Sequence, residues 1–207
     1  QDGPDDINKY ITLNDTLYFY SYTKTGHLFY TDENEIRYDS PINHGCVVAF
    51  NAEKYKLIGM MDIDNIRTRS SKFIIFTDEY KIYAALSVHG EIISDFTERY
   101  YRKLTNFYNG LISDITNIQN YYESVEFIIS GDFNLNLFKP DFNPFNTISM
   151  SNFLRGVDDY TYVINDFLDF LIKNGIYVLE IPDYTNYNID SKFIEKVDFI
   201  FLSESIH

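Results

Sequence analysis

The chain has 207 residues, enough for one domain with a sizeable core, and it is 45% hydrophobic and 18% aromatic, which excludes a disordered or low-complexity chain. The formal net charge of −14 argues against wrapping a nucleic-acid backbone over the whole surface, though not against a polynucleotide held in one cleft. Its single cysteine, Cys46, rules out an internal disulfide and reads as a small buried residue; no apolar run is long enough to cross a bilayer and no signal peptide is visible.

The first 45 residues are polar and aromatic, with turn signals at Gly3-Pro4-Asp5, Asn14-Asp15 and Lys24-Thr25-Gly26. Within them Leu17 to Tyr22 reads as a strand, because aromatic side chains favour a pleated surface. Cys46 to Phe50 and Tyr55 to Ile58 flank Asn51-Ala52-Glu53-Lys54 and read as a hairpin. Phe73 to Phe76 and Ile82 to Val88 flank Thr77 to Lys81 as a second hairpin, whose last strand ends on His89-Gly90.

The period then changes. Phe96, Tyr100, Leu104, Phe107, Leu111, Ile115 and Ile118 recur at three- and four-residue steps and predict one apolar helix face, with Ser94 as N-cap and Asp95 and Glu98 placed to suit the helix dipole. Val125 to Ser130 is an apolar run closed by Gly131 and reads as a buried strand. A long loop follows from Leu135 to about Ser151. Val163 to Asn174 predicts a second helix with Ile164, Phe167, Leu168, Leu171 and Ile172 inward and Gly175 as its stop. Ile176 to Leu179 and Val197 to Leu202 read as strands on either side of a loop from Asp183 to Asp190. Hairpins in the first half and helices between strands in the second predict two packed sheets with helices outside, and strand ends carrying Asp or His that meet at one rim.

The stretch that carries chemistry is Gly131-Asp132-Phe133-Asn134. At a strand end a carboxylate and a carboxamide two residues apart point to the same side. An aspartate there can hold a divalent cation or orient a water, and an asparagine can contact a phosphate oxygen. A plain turn cap is the competing reading for the pair taken alone. His89 stands at a strand end beside Gly90, where an imidazole satisfied by a backbone carbonyl is a common arrangement. Asp198 can cap or pair at the edge of its strand, with Lys196 as an available partner. His27 and His44 lie in loops, Arg67 and Arg69 precede a strand, and Asp2 sits in an acidic turn.

Taken in order, Gln1-Asp2, Ser87-Val88-His89, Gly131-Asp132-Phe133-Asn134 and Lys196 to Ser203 resemble the endonuclease/exonuclease/phosphatase superfamily, the group of deoxyribonuclease-like and abasic-site exonuclease-like enzymes, over essentially the whole chain. The resemblance implies an α+β fold, a four-layer α/β/β/α sandwich of two packed mixed sheets. It also implies a Mg²⁺- or Mn²⁺-dependent phosphodiesterase whose substrate is nucleic acid. It carries Asp132 over as a residue acting on the attacking water or the metal, and Asn134 as holding the scissile phosphate. His89 would contact the phosphate or act as general acid, Asp198 would orient a later histidine, Asp2 would take the place of a metal-binding glutamate, and Arg69 would line the substrate cleft. The chain departs from the pattern at Asp2, where the family has glutamate. The family's first asparagine-bearing strand and its closing Ser-Asp-His motif have no counterpart between Gln1 and His207, which together with the non-methionine start suggests a trimmed chain. A catalytically silent binding module and a phosphatase acting on a phosphomonoester or a phosphoinositide are the alternatives.

Overall fold

A computed structural model describes residues 7–24, 27–30, 36–39, 45–61, 72–90, 98–133, 137, 157–179, 186–188, 193–195 and 198–206. The larger sheet has six strands and begins with β6 (Lys56–Met61), β7 (Phe73–Thr77), β8 (Ile82–His89) and β9 (Val125–Asp132), joined by β10 (Ile176–Val178) and β13 (Asp198–Ser203). Its spatial order is β10-β13-β9-β8-β7-β6, and only the β8–β9 pair is parallel. The smaller sheet packs β1 (Ile7–Leu13), β2 (Thr16–Lys24) and β5 (Gly45–Asn51) in antiparallel order. Two short hairpins complete the described strands, β3 (His27–Tyr30) with β4 (Ile36–Asp39) and β11 (Asn186–Asn188) with β12 (Phe193–Glu195).

The period-2 pattern of the large sheet sorts its side chains cleanly. Ala84, Leu86 and Val88 of β8, Phe127 and Ile129 of β9, and Phe199 and Phe201 of β13 point to one face. There they pack against α1 (Glu98–Tyr121) and α2 (Val157–Lys173) through Leu104, Phe107, Leu111, Ile115, Ile164, Phe167 and Leu171. The other face turns Ile74, Phe76 and Ala85 toward Phe19, Val48 and Phe50 of the small sheet, with Phe50 stacked on Phe76 at 4.6 Å between ring centroids. The α/β/β part of the expected sandwich is thus built, with both described helices on the outer face of the large sheet.

Three expectations need correction. Cys46 to Phe50 and Tyr55 to Ile58 are strands, but not a hairpin: β5 pairs with β2 and β6 with β7, so the turn at Asn51 to Lys54 carries the chain from one sheet to the other. The physical reason is that Phe50 and Leu57 both face the inter-sheet core, and two strands meet that demand from opposite sheets. Ile172, expected inward, is 57% exposed, since the helix already buries Phe167 and Leu171 and turns Ile172 to its outer side. The loop expected over Asp183 to Asp190 contains the strand β11. A strand over Ile7–Leu13, paired with β2 across the left-handed Asn14-Asp15 turn, was not legible because its residues alternate poorly. Ser94 and Asp95 lie outside the described residues, as does the loop expected from Leu135 to Ser151 apart from Leu137, which is buried.

Candidate functional site

Three strand ends converge at one rim of the large sheet. In the parallel pair His89 is the register partner of Asp132, and in the antiparallel pair Asp198 is the register partner of the same Asp132. Register partners share a face, and alternation from Phe127, Ile129, Val88 and Phe199 puts all three on the inter-sheet face, opposite the helices. His89, Asp132 and Asp198 therefore form one row across β8, β9 and β13. Directly opposed residues of an antiparallel pair have Cβ atoms about 5 Å apart, so the two carboxylates are immediate neighbours.

The backbone is tightly drawn in here. Gly131 has φ +143, a conformation that side chains avoid, and a Cβ built on it would land on the carbonyl oxygen of Val88. Gly90 is as constrained by space: a Cβ there would meet the carbonyl of Phe133. The Gly90 N–H donates to the Asp132 carbonyl at 2.6 Å, tying the end of the histidine strand to the end of the aspartate strand. Phe133 continues the alternation into the helical side of the core, edge-on to Phe199 at 5.9 Å and to Phe201 at 5.7 Å. A buried ring on one side of the backbone thus fixes the carboxylate of Asp132 on the other.

Of the residues singled out in the sequence, His89, Asp132 and Asp198 are brought together. Asp2, Asn134, Arg67, Arg69, Lys196, His44 and His207 lie outside the described residues, and His27 opens the β3 strand, which pairs with β4 in a separate two-stranded sheet. Sequence reasoning named Gly90 only as a strand end, since its contact with Phe133 is long-range, and did not single out Ser130. Two residues before Asp132 on one strand is a spacing that puts Ser130 on the same face, and it could have been found that way. Among the described residues no group of three or more His, Cys, Asp or Glu side chains is placed to hold a metal ion by itself.

No family model matches this chain, and no curated protein does. Solved structures do. The chain is similar to ANGEL2, a 2',3'-cyclic phosphatase, at TM-score 0.47 and 10% identity, over 90% of this chain and 63% of that one. It is similar to TDP2 from Caenorhabditis elegans at TM-score 0.47 and 8% identity, over 80% and 46%. A third likeness, at TM-score 0.42 and 15% identity over 92% and 62%, is to an endonuclease/exonuclease/phosphatase family protein from Leptotrichia buccalis. The chain thus spans less than two thirds of each of these structures.

Proposed function

We propose that this chain is a divalent-metal-dependent phosphodiesterase that hydrolyses nucleic acid. The observation that carries the reading is the row of His89, Asp132 and Asp198, three strand ends in register on one face. Hydrolysing a phosphodiester requires an oriented water, neutralised charge on the phosphate and a protonated leaving oxygen. This row offers a base, an acid and hard oxygen donors side by side.

The donor set fits Mg²⁺ or Mn²⁺. Mg²⁺ is usually held by one or two carboxylates and takes its other ligands from water and phosphate oxygens, and Asp132 and Asp198 are such a pair. When bound, the ion would neutralise phosphate charge and make water more acidic. Asp132 would orient the attacking water. His89, on the neighbouring strand, would donate to a phosphate oxygen or to the leaving oxygen. The Gly90–Asp132 backbone bond would hold imidazole and carboxylate in fixed relation, which is what positioning requires. On the same reading Asn134 holds the scissile phosphate, Arg69 lines the cleft and Asp2 adds a carboxylate to the cation. The net charge of −14 favours a short or single-stranded polymer over a long duplex, since every added backbone contact is made against the protein's own field.

The test is cleavage of single-stranded DNA, single-stranded RNA and supercoiled plasmid with Mg²⁺. Cleavage that disappears with a chelator and in Asp132→Ala is expected. A wild-type chain that leaves all three polymers intact, and binds no Mg²⁺ by calorimetry, overturns the reading.

A further inference from the structure

The space between the two sheets changes character just below the rim. Through its base and middle it is filled by Phe19, Val48, Phe50, Ile74, Phe76 and Ala85. Two residues further toward the rim, about 7 Å along each strand, the same face carries small polar side chains. Ala85 gives way to Ser87 on β8, Ile128 to Ser130 on β9, and Val48 to Cys46 on β5. On β2, Ser21 is the register partner of Val48 and Thr23 that of Cys46. Ser87 and Ser130 are themselves register partners, one row beneath His89 and Asp132. Since β5 lies against β8, the two sets of small side chains face one another across the interface.

Two of these groups call for a ligand. Ser21 is 1% exposed, and both Ser21 Oγ and Thr23 Oγ1 are buried with no hydrogen-bond partner among the described residues. More than nine in ten buried polar groups are satisfied by protein or by water, so two orphans on one face of one strand point to a shared partner. Replacing Phe, Val and Ile by Ser, Thr and Cys leaves room for it. Neither hydroxyl set carries a charge, and each group can both donate and accept, which selects a small neutral molecule able to do the same.

We infer that Ser21, Thr23, Ser87 and Ser130 line an inter-sheet site for ordered water, which bridges the small sheet to the strands that carry His89 and Asp132. The inference rests on packing alone and goes beyond the functional reading. Such water makes two to four hydrogen bonds and is costly to remove. It would fix the spacing of the two sheets where the cleft opens.

Ser21→Ala and Thr23→Val each delete one hydroxyl with little change of shape. A bridging water that loses a partner lowers the melting temperature by about 2–4 °C in each variant. The double variant falls by less than the sum, because both groups serve the same molecules. Dry hydroxyls give the opposite sign, since deleting an unpaired buried polar group relieves its desolvation, and an unchanged or raised melting temperature overturns the site. A high-resolution crystal structure of the wild type decides independently. Water within about 3 Å of both hydroxyls is expected, and a dry contact at Ser21 and Thr23 sinks the inference. Neither readout involves catalysis, so an inactive protein leaves both intact.

Discussion

The strands β8, β9 and β13 carry polar side chains at both ends, and the two ends are built differently. At the base every group is answered by a nearby partner. The Tyr83 hydroxyl donates to Asp78 Oδ2 at 2.9 Å, and Asp78 Oδ1 accepts the Tyr80 and Lys81 N–H groups at 3.0 and 2.8 Å. Lys81 Nζ donates to the Ser205 carbonyl at 3.2 Å and lies 3.9 Å from Glu126, while the buried Ser203 Oγ accepts the Phe127 N–H at 2.7 Å. Opposite charges alternate there, and the hairpin turn is locked by its own side chains. At the rim two carboxylates stand directly opposite each other on β9 and β13 with an imidazole in the same row. Like charges facing across an antiparallel pair are destabilising on their own, so this pair depends on the groups around it. The base closes an end of the sheet with local pairs; the rim sets two carboxylates and an imidazole side by side.

The largest effect expected from breaking this contrast is at Gly131, where the rim's chemistry depends on backbone. Gly131→Ala forces a side chain into φ +143 and onto the Val88 carbonyl. A loss of about 3–5 kcal/mol is expected, since strain and overpacking act together, measured by chemical denaturation. A variant as stable as wild type would mean that the strands can separate here and that the rim is not held as described. Next comes Asp132→Ala, which separates chemistry from fold. Cleavage is expected to fall by about 10²–10⁴-fold with the melting temperature within about 2 °C of wild type. A fall in stability without a fall in cleavage would move Asp132 from the active row to the structural one.

How much of this contrast was legible in sequence follows from its range. The alternation Phe127, Ile129 and Phe199, Phe201, and the helix period through Leu104, Phe107 and Leu111, are local patterns, so the buried strands and both helices could be read directly. The glycine before Asp132 marked the end of the apolar run, though β9 continues through Gly131 to Asp132. Pairing is not local. That β5 leaves β6 for β2, and that Asp198 meets Asp132 and not some other strand, depends on which faces find each other in three dimensions. The row was therefore expected as strand ends meeting at a rim, without the register that makes the two aspartates neighbours. Ile7–Leu13 was missed because an edge strand with both faces largely exposed carries no hydrophobic alternation to detect.

At the base the expected effects are smaller and touch stability alone. Ser203→Ala leaves the Phe127 N–H buried without its acceptor, which costs about 1–3 kcal/mol in thermal or urea unfolding. Cleavage per folded molecule should stay at the wild-type rate. A slowed rate would show that the far end of β13 sets the position of Asp198.

The gentlest test uses pH at Tyr83. Burial, then the hydrogen bond to Asp78, raises its hydroxyl from the ordinary 10.0 to about 12. The folded chain thus holds the proton more tightly than the unfolded one, so this contribution is complete below pH 10 and fades as pH rises from 10 through 12. Asp78 is shifted the other way, down from 3.8, chiefly by the Lys81 backbone N–H, with the Tyr83 hydroxyl adding to it. Its contribution is present above that value and fades as pH falls through it. Tyr83→Phe should flatten the alkaline part of the stability profile, read from melting temperatures between pH 9 and about 12, and weaken the acid part only slightly, because the backbone donors to Asp78 remain. The cleavage rate between pH 6 and about 8 should not move, since the Tyr83 proton stays in place throughout that range. If it does move, the two ends of the sheet are energetically coupled along β8, and the base belongs to the machinery of the rim.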